Sequence, residues 1–127
     1  MSESRILVVE DNPKNLKLMR DVLTYAGYEV LEATSGEDGV RLAGEASPDL
    51  VLMDLQLPGI DGAEALRRIR ASEVNPDVPV VAVTAFAMTE DRERAYEAGF
   101  VGYVEKPISV RGLPQQVRDF LRLGGVS

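Results

Sequence analysis

Short apolar runs recur along the chain, and each of them stops at a polar residue or a turn. The clearest run covers residues 50–53, which read Leu-Val-Leu-Met and end at Asp54. A continuous apolar run of this length is typical of a strand that is buried on both faces of a parallel sheet. Similar runs predict four further strands, at residues 6–9, 28–33, 78–84 and 100–104.

Between these strands, apolar residues recur at helical spacing. Asn12 is a strong helix N-cap, because proline follows it at the first helical position, and Gly27 supplies the end of this first helix. Ser35 caps a predicted second helix, although Gly36 and Gly39 weaken that prediction. The pattern therefore predicts a helix after each of the first two strands.

Three more helices are predicted further along the chain. Residues 62–71 place apolar side chains opposite three arginines, as an amphipathic helix does. Thr89 looks like the N-cap of a fourth helix, and Gly99 closes it. Inside the fifth helix Pro114 would lose a hydrogen bond and clash with the preceding turn, so we expect the regular helix to begin near Leu113.

Alternation of strands and helices with short loops predicts a parallel sheet that is covered by helices on both faces. Four of the predicted strands end in polar residues, which are Glu10, Asp11, Asp54, Thr84 and Lys106. Each has an ordinary explanation by itself, such as a solvated charge or a β-branched residue at a strand end. Because the carboxyl ends of parallel strands meet at one edge, where α/β folds bind ligands, we expect all five to converge there.

The three carboxylates of this cluster imply a cation. At separations of roughly 4 Å they would repel one another by about 4 kcal/mol per pair at an effective dielectric constant near 20, and one lysine does not neutralise three anions. The chain has no histidine and no cysteine, so the ligands are oxygen atoms, which favour Mg²⁺. A carboxylate, Mg²⁺, a hydroxyl and an ammonium in one pocket suit phosphoryl transfer, with an aspartate as the nucleophile.

Composition narrows the class of protein and its partners. The 127 residues predict one domain, and 45% apolar with 28% charged residues predicts a globular one. A net charge of −7 argues against nucleic acid or anionic lipid as a partner. The apolar run at residues 6–9 is too short for a signal-peptide core or a membrane span, so we expect a soluble, cytoplasmic protein.

Together these motifs resemble the receiver domain of bacterial two-component response regulators, over essentially the whole chain. They look most like stand-alone receivers of the cell-division regulator type and receivers attached to hybrid kinases. The resemblance implies a doubly wound, flavodoxin-like α/β fold with parallel strands in the order 2-1-3-4-5. It also implies a single receiver domain over residues 1–127, with an ordered core at about 4–123 and no output domain. The segments that carry it are Val8-Val9-Glu10-Asp11-Asn12, Asp49-Leu50-Val51-Leu52-Met53-Asp54, Leu57-Pro58, Asp61-Gly62, Val83-Thr84-Ala85 and Lys106-Pro107.

Carried over to this sequence, the resemblance makes Asp54 the phosphoacceptor. It implies that Mg²⁺ is bound by Asp11, by Asp54 and by the backbone carbonyl of Gln56, while Glu10 acts mainly through ordered water. The chain would then catalyse its own phosphorylation and dephosphorylation as a signalling switch, without acting as an enzyme on a separate substrate.

The resemblance also implies how the switch works. Lys106 pairs with the phosphoryl group, and its peptide bond to Pro107 is expected to be cis. Thr84 moves to bind a phosphoryl oxygen, and Tyr103 turns inward into the space that Thr84 leaves. By itself, Tyr103 is explained as well by an ordinary half-buried aromatic residue. The face formed by the fourth helix, the fifth strand and the fifth helix would report the change to a downstream protein.

A chain without histidine needs a separate phosphoryl donor. The resemblance implies a histidine kinase or a histidine phosphotransfer protein, whose four-helix bundle would dock near Lys14, Asn15 and Leu18. Gln56 and Phe86 flank the predicted pocket, where their side chains could gate the water that hydrolyses the acyl phosphate.

Other classes of protein fit the sequence less well. A haloacid-dehalogenase-type phosphatase, which also forms an aspartyl phosphate, needs a second aspartate where this chain has Gln56. A flavin carrier needs a hydroxyl-rich loop after the first strand, and a dinucleotide-binding protein needs G-x-G-x-x-G there; this chain has Glu-Asp-Asn-Pro. A degenerate receiver that acts only as a docking module remains the strongest alternative.

Overall fold

The five predicted strands form one parallel sheet in a computed structural model that describes residues 4–85 and 88–123. The strand order is β2-β1-β3-β4-β5, which confirms the flavodoxin-like order 2-1-3-4-5. Adjacent strands pair in parallel, with Val9 beside Met53 and Thr84 beside Glu105 at the carboxyl ends. The strands are β1 (Arg5–Val9), β2 (Glu29–Ala33), β3 (Leu50–Asp54), β4 (Val80–Thr84) and β5 (Gly102–Glu105).

A helix follows each strand, and the two faces of the sheet are both covered. The helices are α1 (Pro13–Tyr25), α2 (Gly36–Glu45), α3 (Gly62–Ala71), α4 (Thr89–Ala98) and α5 (Gly112–Leu123). One apolar layer joins the sheet to α1 and α5, and the other joins it to α2, α3 and α4. β3 is buried along its whole length between these layers, which explains why its sequence is continuously apolar. Within residues 4–85 and 88–123, no helix has the length and apolar character needed to cross a membrane.

Most predicted helix ends are confirmed by their backbone contacts. The Asn12 side chain accepts hydrogen bonds from the amides of Lys14 and Asn15, and Ser35 accepts one from the amide of Asp38. The amide of Gly112 donates to the Ser109 hydroxyl at 2.9 Å. Helix α5 therefore begins one residue before the predicted start, with its proline in the first turn, where the missing amide is tolerated.

The predicted cap of α4 is wrong. Met88 is the N-cap residue and Thr89 is already helical, because the Met88 carbonyl accepts the first helical hydrogen bond, from the amide of Arg92. The side chain of Met88 makes no capping hydrogen bond. Its end is as predicted, at Gly99, whose φ of +108° is the left-handed conformation that glycine adopts most easily.

Three strands begin later than predicted, β2 by one residue and β4 and β5 by two, and flanking contacts explain the two larger differences. The amide of Phe100 donates to the Ala95 carbonyl and so belongs to the end of α4. The amide of Val78 donates to Asn75 within a turn, and Pro79, which follows it, has no amide to donate. Val78 and Phe100 are apolar because they are buried in the core beside the sheet, and Pro79 contributes only its carbonyl, which accepts a hydrogen bond from the amide of Val51.

Candidate functional site

The carboxyl ends of β1 and β3 lie side by side and bring three carboxylates together. Glu10 and Asp11 follow β1, and Asp54 is the last residue of β3. Each of the three can supply a carboxylate oxygen to a group in which all the oxygens lie within 4.8 Å of one another. The predicted convergence of these residues is therefore found in the structure.

Lys106 joins this cluster from the far edge of the sheet. It follows β5, which is separated from β3 by β4, and its long side chain spans that distance. The ammonium Nζ lies 2.8 Å from Oδ2 of Asp54 and 3.0 Å from Oε1 of Glu10. The peptide bond between Lys106 and Pro107 is cis.

Asp54 is held from two sides in a nearly solvent-free position. Its residue exposure is 3%. Oδ1 accepts a hydrogen bond of 2.9 Å from the amide of Gln56, and Oδ2 accepts one of 2.8 Å from Lys106. Helix α3 begins close behind it, since a side chain at Gly62 would come within 2.6 Å of the Asp54 carbonyl oxygen. These contacts fix the orientation of the carboxylate.

Glu10 is the most buried carboxylate of the cluster, at 1% exposure. Oε2 accepts a hydrogen bond from the amide of Asn12 at 3.2 Å. Oε1 has no hydrogen-bond partner among the described residues; the Lys106 ammonium is near enough, but it lies off the direction that a hydrogen bond requires. Burial, followed by the neighbouring carboxylate of Asp54, raises the pKa of Glu10 to about 7, although Lys106 and the Asn12 amide oppose the shift.

The pKa of Lys106 is raised as well, which in a lysine favours the charged form. Burial by itself lowers the pKa of Lys106, but its contacts with Asp54 and Glu10 outweigh burial and raise the pKa above the ordinary value. Lys106 therefore stays protonated at neutral pH, and it compensates one negative charge of a cluster that holds up to three.

The remaining charge and the donor atoms fit a magnesium ion. The cluster offers carboxylate oxygens, the ligand type that Mg²⁺ prefers. Asp11 is exposed at the mouth of the cluster, where an ion can reach it. The buried Oε1 of Glu10 has an unused acceptor position, which an ion or one of its bound waters can satisfy.

Thr84 and Tyr103, two of the predicted switch residues, lie on one face of the sheet. Thr84 ends β4 and is 6% exposed. Tyr103 is half-buried on β5, opposite Ala82. Because Ala82 and Thr84 are two residues apart on one strand, their side chains share a face, and Tyr103 lies diagonally across from Thr84 on it. Phe86, proposed above as a gate, lies outside the described residues.

Two features at this face could not be found in the sequence. The guanidinium carbon of Arg92 lies 4.7 Å from the centre of the Tyr103 ring. A pocket of about 250 Å³ also opens beside Thr84, between α3 and α4. Both depend on how α4 packs, and α4 carries no periodic apolar signal that would reveal its contacts. The pocket is lined by Leu55, Gln56, Ala63, Thr84, Asp91, Arg94, Ala95, Ala98 and Phe100.

The predicted docking residues lie at the start of α1, next to the acidic cluster in the chain. Lys14 is exposed, and Asn15 and Leu18 are half-buried. Their role in docking stays a prediction.

Comparisons with known proteins agree on one family. The family model described as the response regulator receiver domain matches residues 6–118. The polar-differentiation response regulator DivK of Brucella ovis is 42% identical over 116 residues, which are 91% of this chain and 94% of that protein.

Solved structures give the same result. A crystal structure of the receiver domain of a sensor histidine kinase from Pseudomonas aeruginosa PAO1 is 37% identical, covers 95% of this chain and 99% of its own, and has a TM-score of 0.86. That structure has a magnesium ion coordinated in its active site cleft. A CheY-like receiver domain protein from Methanospirillum hungatei is 28% identical over 98% of both chains, with a TM-score of 0.87.

Proposed function

Because the chain belongs to the response regulator receiver domain family of two-component signalling, we propose that Asp54 accepts a phosphoryl group in a magnesium-dependent reaction. The observation that carries the proposal is the position of this carboxylate. It is buried, its two oxygens are held by Lys106 and the amide of Gln56, and it adjoins two further carboxylates. A nucleophile oriented in this way needs charge neutralisation more than unusual basicity.

The reaction is a displacement at phosphorus. A carboxylate oxygen of Asp54 forms a bond to the phosphorus atom, while the bond from phosphorus to the donor breaks and its electron pair leaves with the donor. Lys106 carries a positive charge at this point and compensates the phosphoryl oxygens. Thr84, at the end of β4, has a hydroxyl that can donate to one of them. The product is an aspartyl phosphate.

A metal ion completes the charge balance in this proposal. Asp11, Asp54 and the backbone carbonyl of Gln56 would hold Mg²⁺ directly, and Glu10 would act through ordered water. When bound, the ion supplies the positive charge that lets an anionic phosphoryl group approach a carboxylate cluster. The fit of the oxygen donors supports this assignment, and so does Oε1 of Glu10, which accepts no hydrogen bond among the described residues.

The donor is proposed to be a histidine kinase or a histidine phosphotransfer protein. The sequence contains no histidine, so the chain does not supply a phosphohistidine of its own. Docking near Lys14, Asn15 and Leu18 would bring a donor histidine to the mouth of the cluster, because α1 starts three residues after Glu10.

The output is proposed to be a change at the face formed by α4, β5 and α5. Movement of Thr84 toward the phosphoryl group would free space for Tyr103 on the same face of the sheet. The switched conformation would then be populated at the expense of the resting one, and a downstream protein would bind one of them more tightly.

Mass spectrometry of the intact protein tests the phosphoacceptor. Incubation with Mg²⁺ and acetyl phosphate is expected to add one phosphoryl group, and Asp54→Asn is expected to add none. Asp61→Asn is the matched control, because Asp61 is an exposed carboxylate nearby that caps α3, and it should be labelled like the unmodified chain. Labelling of Asp54→Asn would show that the acceptor is a different residue.

The intact mass and an assay for released phosphate together separate the alternative functions. A degenerate receiver that serves only for docking would gain no mass under any condition. A phosphatase would release inorganic phosphate continuously from phosphomonoesters at enzyme-like rates. The exposed Gln56 at the position where a phosphatase of the haloacid dehalogenase type needs an aspartate argues against the second class.

A further inference from the structure

The ring of Tyr103 is held from above by a cation on α4. The guanidinium carbon of Arg92 lies 4.7 Å from the ring centre, within the distance at which an arginine over an aromatic face is attracted to its π-electrons. Neither residue is buried: Tyr103 is half-buried and Arg92 is exposed. At such a site this attraction shifts a two-state equilibrium by about two- to fivefold.

Among the residues that the structure describes, α4 buries little of its surface against the rest of the molecule. Of the α4 side chains whose exposure the structure describes, only Ala95 is buried, and it is 7% exposed. Met88, the N-cap residue, makes no side-chain hydrogen bond to the start of the helix. A pocket of about 250 Å³ lies between α4 and α3. The contact between Arg92 and Tyr103 is therefore one of the side-chain contacts that join α4 to β5.

The position of Tyr103 connects this contact to the phosphorylation site. The ring lies diagonally across from Thr84, on the sheet face that α4 covers. Inward movement of the ring needs the space beside Thr84. That movement also takes the ring away from the guanidinium above it, so the attraction stabilises the half-buried position relative to the inward one.

We propose that Arg92 is a positioning residue that holds Tyr103 in its half-buried orientation and thereby lowers the fraction of the unphosphorylated chain in the switched conformation. The inference rests on the proposed function, because it takes Tyr103 as the residue whose orientation reports phosphorylation. It goes beyond that function in assigning the resting state of the switch to one side chain of α4.

Fluorine NMR of the full chain labelled with 3-fluorotyrosine tests the proposal. The chain has four tyrosines, and Tyr103→Phe identifies the resonance of Tyr103. The change of its chemical shift between H₂O and D₂O measures how far solvent reaches the ring. In Arg92→Met, which keeps a long side chain over the ring but removes its charge, this change is expected to become smaller as the ring turns inward.

Two further variants separate the role of the charge from that of the helix surface. Arg92→Lys keeps a cation and is expected to give a value between those of the unmodified chain and Arg92→Met. Arg94→Met makes the same charge change on the same helix and is expected to leave the Tyr103 resonance unaltered, since the carboxylates nearest Arg94 are 3.9 Å away, on Glu90 and Asp91. Circular dichroism of each variant checks that α4 remains folded.

An unchanged or larger solvent effect on Tyr103 in Arg92→Met would overturn the proposal, and so would an equal response to Arg94→Met. These measurements use the unphosphorylated chain. They are therefore independent of whether Asp54 accepts a phosphoryl group, which intact mass decides separately.

Discussion

At the scale of single residues, Glu10 shows that the acidic site lowers the stability of the fold. Its carboxyl is 1% exposed, and one of its oxygens has no hydrogen-bond partner among the described residues. Burial and the neighbouring Asp54 raise its pKa to about 7. A carboxyl that resists ionisation in this way destabilises the fold when it is charged, unless a cation arrives.

The pH dependence of stability follows from this shift. A raised pKa means that the folded chain holds a proton that the unfolded chain, with a pKa of 4.5, has released. The resulting loss of folding stability is absent below pH 4.5, grows as the pH rises toward 7, and is complete above 7, with an upper limit of about 3 kcal/mol. In Glu10→Gln the metal-free protein is therefore expected to be more stable than the unmodified chain at pH 8 and to differ less at pH 4.5. Urea unfolding in EDTA at both pH values measures the difference.

Glu64→Gln is the control for this experiment. The arginines Arg67 and Arg68 lower the pKa of Glu64 to about 2, so the stabilisation from its charge is lost only as the pH falls below 4.5. Its substitution should leave the difference in stability between pH 4.5 and pH 8 unaltered. If Glu10→Gln kept the full pH dependence of the unmodified chain, Glu10 would not be the group that titrates.

The residues of the site were predictable for a simple reason. Asp54 and Thr84 are the last residues of apolar strands, and Glu10 and Lys106 follow strands directly, so the parallel sheet alone determines that they meet. The contact of Arg92 with Tyr103 was not predictable, because it depends on the rotation of a helix with little apolar patterning. Whether Oε1 of Glu10 accepts a hydrogen bond likewise depends on side-chain directions that no sequence pattern encodes.

At the scale of elements, α2 shows how glycine can be required where helix propensity disfavours it. Gly39 faces the sheet, and a side chain there would lie 2.8 Å from a methyl group of Val9. Gly44, on the same helix, has room, with the nearest atom of another element 3.9 Å away, on Val74. The glycine at position 39 thus permits the close approach of α2 to β1, the strand that Glu10 and Asp11 follow.

Alanine substitutions at these two positions are expected to have opposite effects. Gly44→Ala should stabilise the protein by about 0.4–1 kcal/mol, because alanine reduces the entropy of the unfolded chain and the site accommodates a methyl group. Gly39→Ala should destabilise it by about 1–3 kcal/mol, since Val9 is fully packed and cannot move aside. Chemical denaturation compares both. Stabilisation by Gly39→Ala would show that α2 does not approach β1 so closely.

The existence and order of all ten elements followed from the sequence, whereas several boundaries did not. Helix starts with an Asn or Ser cap were correct because the cap is a local contact between neighbouring residues. The start of β5 was wrong because the amide of Phe100 completes the end of α4 instead of pairing with β4. Boundaries that depend on competition between two elements are set by tertiary structure, not by the local pattern.

At the scale of the whole molecule, the acidic site ties together segments that are far apart in the chain. Asp11 follows β1, Asp54 ends β3, and Lys106 follows β5. Because the net charge is −7, a cation bound at this edge relieves repulsion within the site and also within the molecule as a whole. An ion that binds this edge binds only the folded chain, since the unfolded chain does not assemble the cluster.

Binding of Mg²⁺ is therefore expected to raise the unfolding temperature. At a concentration ten times the dissociation constant, the added stability is about 1.4 kcal/mol, which corresponds to a shift of about 4–7 °C for a domain of this size. Asp11→Ala should lose most of this shift, because it removes the exposed carboxylate at the mouth of the cluster. Calorimetry with increasing MgCl₂ measures the shift.

The comparison must separate site binding from general screening, since any salt weakens repulsion in an acidic protein. NaCl at equal ionic strength gives the screening component, and Glu73→Ala, which removes an exposed carboxylate outside the cluster, gives the effect of one lost charge. If the cluster binds Mg²⁺, Glu73→Ala retains the excess shift over NaCl and Asp11→Ala does not. An equal shift with both salts would mean that the gathered carboxylates of β1 and β3 do not hold the ion, and the charge balance proposed for phosphorylation of Asp54 would then need another source.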